Sequence, residues 1–105
     1  MKLDKLQKEF LAELKAEHKE IGGKIFTFDA MGITIAIAPA VAGNNCNFVQ
    51  FSIAQCSPSD KFNKKRGELI AITRFASGFT MSKRIVKGNL LQDEAESIAL
   101  FFNEW

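Results

Sequence analysis

Lys24-Ile25-Phe26-Thr27-Phe28-Asp29-Ala30-Met31-Gly32-Ile33-Thr34-Ile35-Ala36-Ile37-Ala38 is the stretch that decides the fold. Ile25, Phe26, Thr27 and Phe28 are strand formers. The tetrad Asp29-Ala30-Met31-Gly32 puts Asp first and Gly last, the preference of a type I turn. In the run after it, Ile33, Ile35 and Ile37 point one way and Thr34, Ala36 and Ala38 the other. The stretch therefore predicts a β-hairpin of Lys24–Phe28 and Ile33–Ala38. Its small-residue face would let a helix, another subunit or a ligand approach closely.

Working outward toward the N-terminus, Leu3–Glu20 reads as a helix. Leu3, Leu6, Phe10, Leu11 and Leu14 recur at three- and four-residue steps, and Gly22-Gly23 stops the run. Toward the C-terminus, Pro39–Asn45 reads as a loop and Cys46–Gln55 as a third strand. Ser57-Pro58-Ser59-Asp60 carries helix-start chemistry, which predicts a short helix over Pro58–Arg66 ended by Gly67. Glu68–Phe75, with Leu69-Ile70-Ala71-Ile72 at its heart, reads as a fourth strand that places Arg74 on the face of Ile70 and Ile72. Ala76–Gly88 is a fifth strand or an ordered loop. Asn89 with Gln92 has capping-box character, and Leu91, Ala95, Ile98, Phe102 and Trp105 trace a last helix. The sum is one α+β domain over residues 1–105: an antiparallel sheet of four to five strands with the N- and C-terminal helices packed on one face.

Charge is unevenly spread. Ser57–Gly88 holds eight cations against Asp60 and Glu68, a net +6, and Asn89–Trp105 holds four acids and no cation. A concentrated positive field in a small domain attracts phosphate or another acidic partner. Lys61, Lys64, Lys65, Arg66, Arg74, Lys83, Arg84 and Lys87 make up the patch. Within it, Arg66, Arg74 and Arg84 can clamp phosphates bidentately, while Phe62 or Phe79 stacks on a base and Asn63 or Asn89 bonds its edge. Arg74 must find either an internal carboxylate or a bound anion.

Catalysis finds few candidates. The single His18 lies between Glu17 and Lys19 and reads as an exposed helical residue. Cys46 and Cys56 sit ten residues apart, or roughly 33 Å on one strand, and read as free thiols of a reducing cytoplasm. No metal-ligand set, P-loop or nucleophile elbow occurs, so no metal, cofactor or catalytic residue is expected. No run is long enough to span a membrane and the N-terminus has no leader-like apolar stretch, which predicts a cytoplasmic protein. The apolar load of the last helix predicts a homo-oligomer.

The stretch Asp60-Lys61-Phe62-x-x-x-x-Gly67-x-x-Ile70-Ala71-x-x-Arg74, with Phe79 and Asn89 bracketing a basic segment, resembles small phage-encoded accessory proteins, and among them the phage anti-Thoeris sponge family. The resemblance covers about residues 57–90. It implies an oligomer that sequesters a cyclic nucleotide-type defence signal in the bacterial host cytoplasm without cleaving it. The arginine pair associated with that family's C-terminus has no counterpart before Trp105, which leaves phosphate contacts to Arg66, Arg74 and Arg84. Two rival readings stand beside this one: a nucleic-acid-binding module and a protein-binding inhibitor of a host factor.

Overall fold

Residues 3–42, 46–56, 61–84 and 90–103 are described in the computed structural model. The order is α1 (Lys5–Glu20), β1 (Lys24–Phe28), a single 3₁₀ turn (Asp29–Met31), β2 (Ile33–Ala42), β3 (Cys46–Gln55), α2 (Lys64–Ala76), β4 (Met81–Arg84) and α3 (Leu91–Asn103). The four strands form one antiparallel sheet in the order β1-β2-β3-β4. The hairpin is as its sequence predicts. Gly32 N–H donates to Asp29 O at 3.1 Å across the turn, and Phe28 stands opposite Ile33. β2 runs on through the segment expected as a loop, pairing Pro39–Ala42 with Val49–Cys46. Pro39 lies past the end of β1, where its missing N–H breaks no ladder on that side.

The alternation along β2 builds two cores. Ile33, Ile35 and Ile37 pack with Val49 and Phe51 against Ala95, Ile98 and Ala99 of α3. Ala36 and Ala54 meet Leu11 and Leu14 of α1 and Ala71 and Ile72 of α2. The sheet is thus sandwiched, with α1 and α2 on its small-residue face and α3 on its isoleucine face. The α+β class and antiparallel sheet hold, but the terminal helices do not share a face. Three fully buried isoleucines on one side need a helix of their own, each worth about 1.5–3 kcal/mol in burial.

The largest departure is α2. Of the short helix expected over Pro58–Arg66, residues 58–60 lie outside the described residues and residues 61–63 are not helical, while Lys64–Arg66 and the strand expected over Glu68–Phe75 form one helix. It starts at Asn63, whose Oδ1 accepts from Arg66 N–H at 3.1 Å. Glu68, Ala71 and Ile72 are its buried residues, a three-and-four step that a strand cannot present to one face. Leu69-Ile70-Ala71-Ile72 is too short an apolar run to tell helix from strand by pattern. Gly67 is a point of close approach instead of a stop. A Cβ there would stand 2.5 Å from Thr34 Oγ1 and 3.4 Å from Thr34 Cβ.

α1 is a helix as expected, capped by a reciprocal Asp4–Gln7 box. Its buried residues are Leu11, Leu14 and His18, whereas Leu6 is 77% and Phe10 48% exposed. His18 is therefore a core residue and not the exposed one its charged neighbours suggest. Its Nε2 lies 3.1 Å from Lys24 O and 3.0 Å from Ile37 O, and Phe75 meets the ring edge-on. Carbonyls only accept, so Nε2 carries the proton and Nδ1 is the bare nitrogen. Burial lowers the imidazole pKa below its ordinary value, against the opposing pull of the two carbonyl contacts. Two carboxylates are also buried and paired: Glu68 with Lys15 at 2.9 Å, tying α2 to α1, and Glu94 with Lys83 at 2.8 Å, tying α3 to β4.

Candidate functional site

A cleft of about 170 Å³ opens where the end of β3 meets the first turns of α2. Its wall on the helix side follows from one period. Asn63, Arg66, Gly67, Ile70 and Arg74 recur at three- and four-residue steps, so a single stripe of α2 lines the opening. Lys61 and Phe62 enter from the segment leading into the helix. Ala54, Gln55 and Cys56 supply the sheet side, and Cys56 N–H donates to Gly32 O at 2.7 Å to close the floor.

Four of the residues singled out in the sequence meet here: Phe62, Asn63, Arg66 and Arg74. Arg74 reaches the site from the last turn of α2 and not from a strand. Its companionship with Ile70 survives for a different reason: a four-residue helical step replaces a two-residue strand step, and Ile72 turns into the core. Among the described residues Arg74 meets no carboxylate, and its hydrogen bond goes to a main-chain oxygen. Nη1 donates to Ile53 O at 2.6 Å, on the part of β3 beyond its pairing with β4. A guanidinium has five N–H donors, so others can serve the cleft.

The remaining expectations fall elsewhere. Phe79 follows α2, with its N–H on Arg74 O and its own O accepting from Ser52 Oγ, and its side chain is 75% exposed outside the cleft. Arg84 stands opposite Phe48, seven residues along β3 from Gln55, or roughly 23 Å. Asn89 lies outside the described residues, as does Lys87. Lys83 of the same basic segment is committed to Glu94 and to Ser97 Oγ at 3.3 Å. Among the described residues the basic patch is thus split, with Lys61, Arg66 and Arg74 at the cleft, Lys65 in a separate opening between α1 and α2, and Lys83 and Arg84 on β4.

Electrostatically the cleft is one-sided. Among the described residues, Lys61, Arg66 and Arg74 line it and no Asp or Glu does. Asn63 adds the N-terminal end of α2, where the helix dipole favours negative charge. Cys56 is a half-buried thiol in the wall, and His18 sits in a different opening between α1 and β1. Cys46 and Cys56 stand at opposite ends of β3, beyond the reach of a disulfide within the chain. Among the described residues no group of three or more His, Cys, Asp and Glu could hold a metal ion, and no helix is long and apolar enough to cross a membrane. The arrangement can hold an anion on two guanidiniums and an ammonium while offering Phe62 to a ring.

Sequence reasoning missed Gly32, Gln55 and Ile70 as parts of the site. The helical step from Asn63 to Arg74 was the signal that could have found Ile70. Gly32 and Gln55 come from strand ends and are legible only once the sheet is assembled. No protein-family model, curated protein or solved structure matches the chain.

Proposed function

We propose that this cleft binds a compact phosphate-bearing ligand of the nucleotide type and holds it unreacted. The observation that carries the reading is the lining itself: among the described residues, three cations, no acid and one phenyl ring around a single opening. Arginine matches phosphate geometry bidentately, and a ring offers a stacking surface to a base. Among the described residues the lining offers no general base beside Cys56, which supports retention over turnover. In the anti-defence form of the reading, the ligand is a cyclic nucleotide-type signal and the protein removes it from circulation. The volume sets the scale. A cavity of about 150 Å³ takes one benzene, and whole ligand pockets run to about 300–1,000 Å³. The cleft therefore encloses one ring or one phosphate-bearing unit and leaves the rest of the ligand at the surface.

The test is calorimetric titration with cyclic AMP, a cyclic dinucleotide and ADP-ribose, followed by heat release and mass spectrometry of the ligand. Saturable binding of at least one, lost in both Arg66→Ala and Arg74→Ala with circular dichroism unchanged, and recovery of the ligand intact are expected. Binding that survives both substitutions removes the cleft from the function, and recovery of cleaved ligand overturns the sequestering role. The nucleic-acid reading draws less support, because Lys83 is engaged with Glu94 and Arg84 lies on a distant part of the sheet.

A further inference from the structure

Two surfaces on opposite sides of the sheet match one another. The first is a groove of about 520 Å³ between α1 and the start of α2, floored by Leu3, Leu11 and Ala12 and edged by Lys8, Lys15 and Lys65. Lys15 is engaged with Glu68, which leaves Lys8 and Lys65 as the exposed cations of the edge. The second surface is the outer side of α3. Asp93, Glu96, Ser97, Leu100 and Phe101 follow one another at three- and four-residue steps, or side by side, and all are exposed. Leu100 and Phe101 are half in water. The other exposed charges of that helix are none, and it carries no cation. One surface is an apolar trough with two free-standing positive charges; the other is an apolar ridge with two negative ones.

We infer that the α1–α2 groove is the docking site for α3 of a second copy of this chain. Asp93 and Glu96 meet Lys8 and Lys65, and Leu100 and Phe101 lie on the floor of Leu3, Leu11 and Ala12. Charge complementarity selects this occupant, because no other described helix is acidic without cations on its exposed side. Groove and ridge lie on opposite faces of the sheet, so one two-fold contact cannot join both pairs. The contact is heterologous, and copies add head to tail into a closed ring or an open array. This inference does not rest on the ligand reading of the neighbouring cleft.

The experiment uses two variants of the full chain in analytical ultracentrifugation and native mass spectrometry. Phe101→Glu spoils the ridge and leaves the groove, and the double substitution Lys8→Glu with Lys65→Glu spoils the groove and leaves the ridge. The wild type is expected as an oligomer that loosens with salt, and each variant alone as a monomer. Mixed in equal amounts they form a one-to-one heterodimer and nothing larger, since each supplies the one surface the other lacks. That mixture also proves both variants folded. A monomeric wild type, a variant that keeps the wild-type mass, or a mixture that stays monomeric or grows past a dimer overturns the inference.

Discussion

Replacing Gly67 with Ala tests the contact that sets α2 against the sheet. In an exposed helix the change is worth about 1 kcal/mol in favour of Ala. Here the new methyl would stand 2.5 Å from Thr34 Oγ1 and 3.4 Å from Thr34 Cβ. Thr34 has nowhere to go: it is fully buried, stiff at χ1, and set between Thr27 and Ala54 in the ladder. Overpacking of this kind costs about 1–3 kcal/mol, and a displacement of α2 also loosens Ala71 and Ile72 from their core. The overpacking term outweighs the propensity gain, for a net loss of up to about 2 kcal/mol, with Tm falling by roughly 4–8 °C for each kcal/mol. Urea unfolding of Gly67→Ala, Thr34→Ala and the double variant supplies the cycle. Thr34→Ala removes a hydroxyl that has no hydrogen-bond partner among the described residues and opens room for the methyl, so the double variant should recover at least about 1 kcal/mol relative to additivity. A Gly67→Ala protein more stable than wild type, or an additive cycle, refutes the close approach.

His18 predicts a pH dependence. The unfolded imidazole titrates near about 6.5 and the folded one lower, so stability is whole above that value and falls as pH drops below it. Urea midpoints across a pH series should show the decline and His18→Gln should flatten it; a wild type with level midpoints counts against the buried neutral ring. Lys15→Met leaves the Glu68 carboxylate buried without its partner. Because Lys15 is 41% exposed, the loss is discounted from the buried-pair range to about 1–2 kcal/mol, and adding Glu68→Leu should return most of it. Cys56 lines the proposed ligand cleft, so its alkylation by iodoacetamide, followed by peptide mass spectrometry, should slow when a bound nucleotide fills the opening; an unchanged rate at saturation places that nucleotide elsewhere.

The hairpin was open to reading because each of its signals is local: a strict two-residue alternation on β2 and an Asp-to-Gly turn. α2 was hidden because its two strongest local signals pointed the wrong way. Gly67 looked like a terminator, and only the approach of Thr34 from another strand explains it. Leu69-Ile70-Ala71-Ile72 looked like a buried strand because four apolar residues carry no usable period. His18 was misread because burial depends on which arc of α1 faces the sheet, and its charged neighbours Glu17 and Lys19 say nothing of that. The cleft itself was half legible. Phe62, Asn63, Arg66 and Arg74 were marked by charge and aromatic chemistry. Their company with Gly32 and Gln55 depends on strand ends brought together by folding. Lys83 drew notice for its charge alone, and the buried Glu94 that absorbs it was visible only in three dimensions.

Asn63 belongs to two openings at once. It caps α2, lines the basic cleft, and also lines the α1–α2 groove. The first turn of one helix is therefore a common wall, and the occupants proposed for the two sides would adjoin the same cap hydrogen bond. By linkage, any factor by which a nucleotide in the cleft tightens or loosens the joining of copies must reappear, unchanged, as the factor by which joining alters nucleotide affinity. On the two proposals made above, the ligand and the neighbouring copy would meet at a single shared amide.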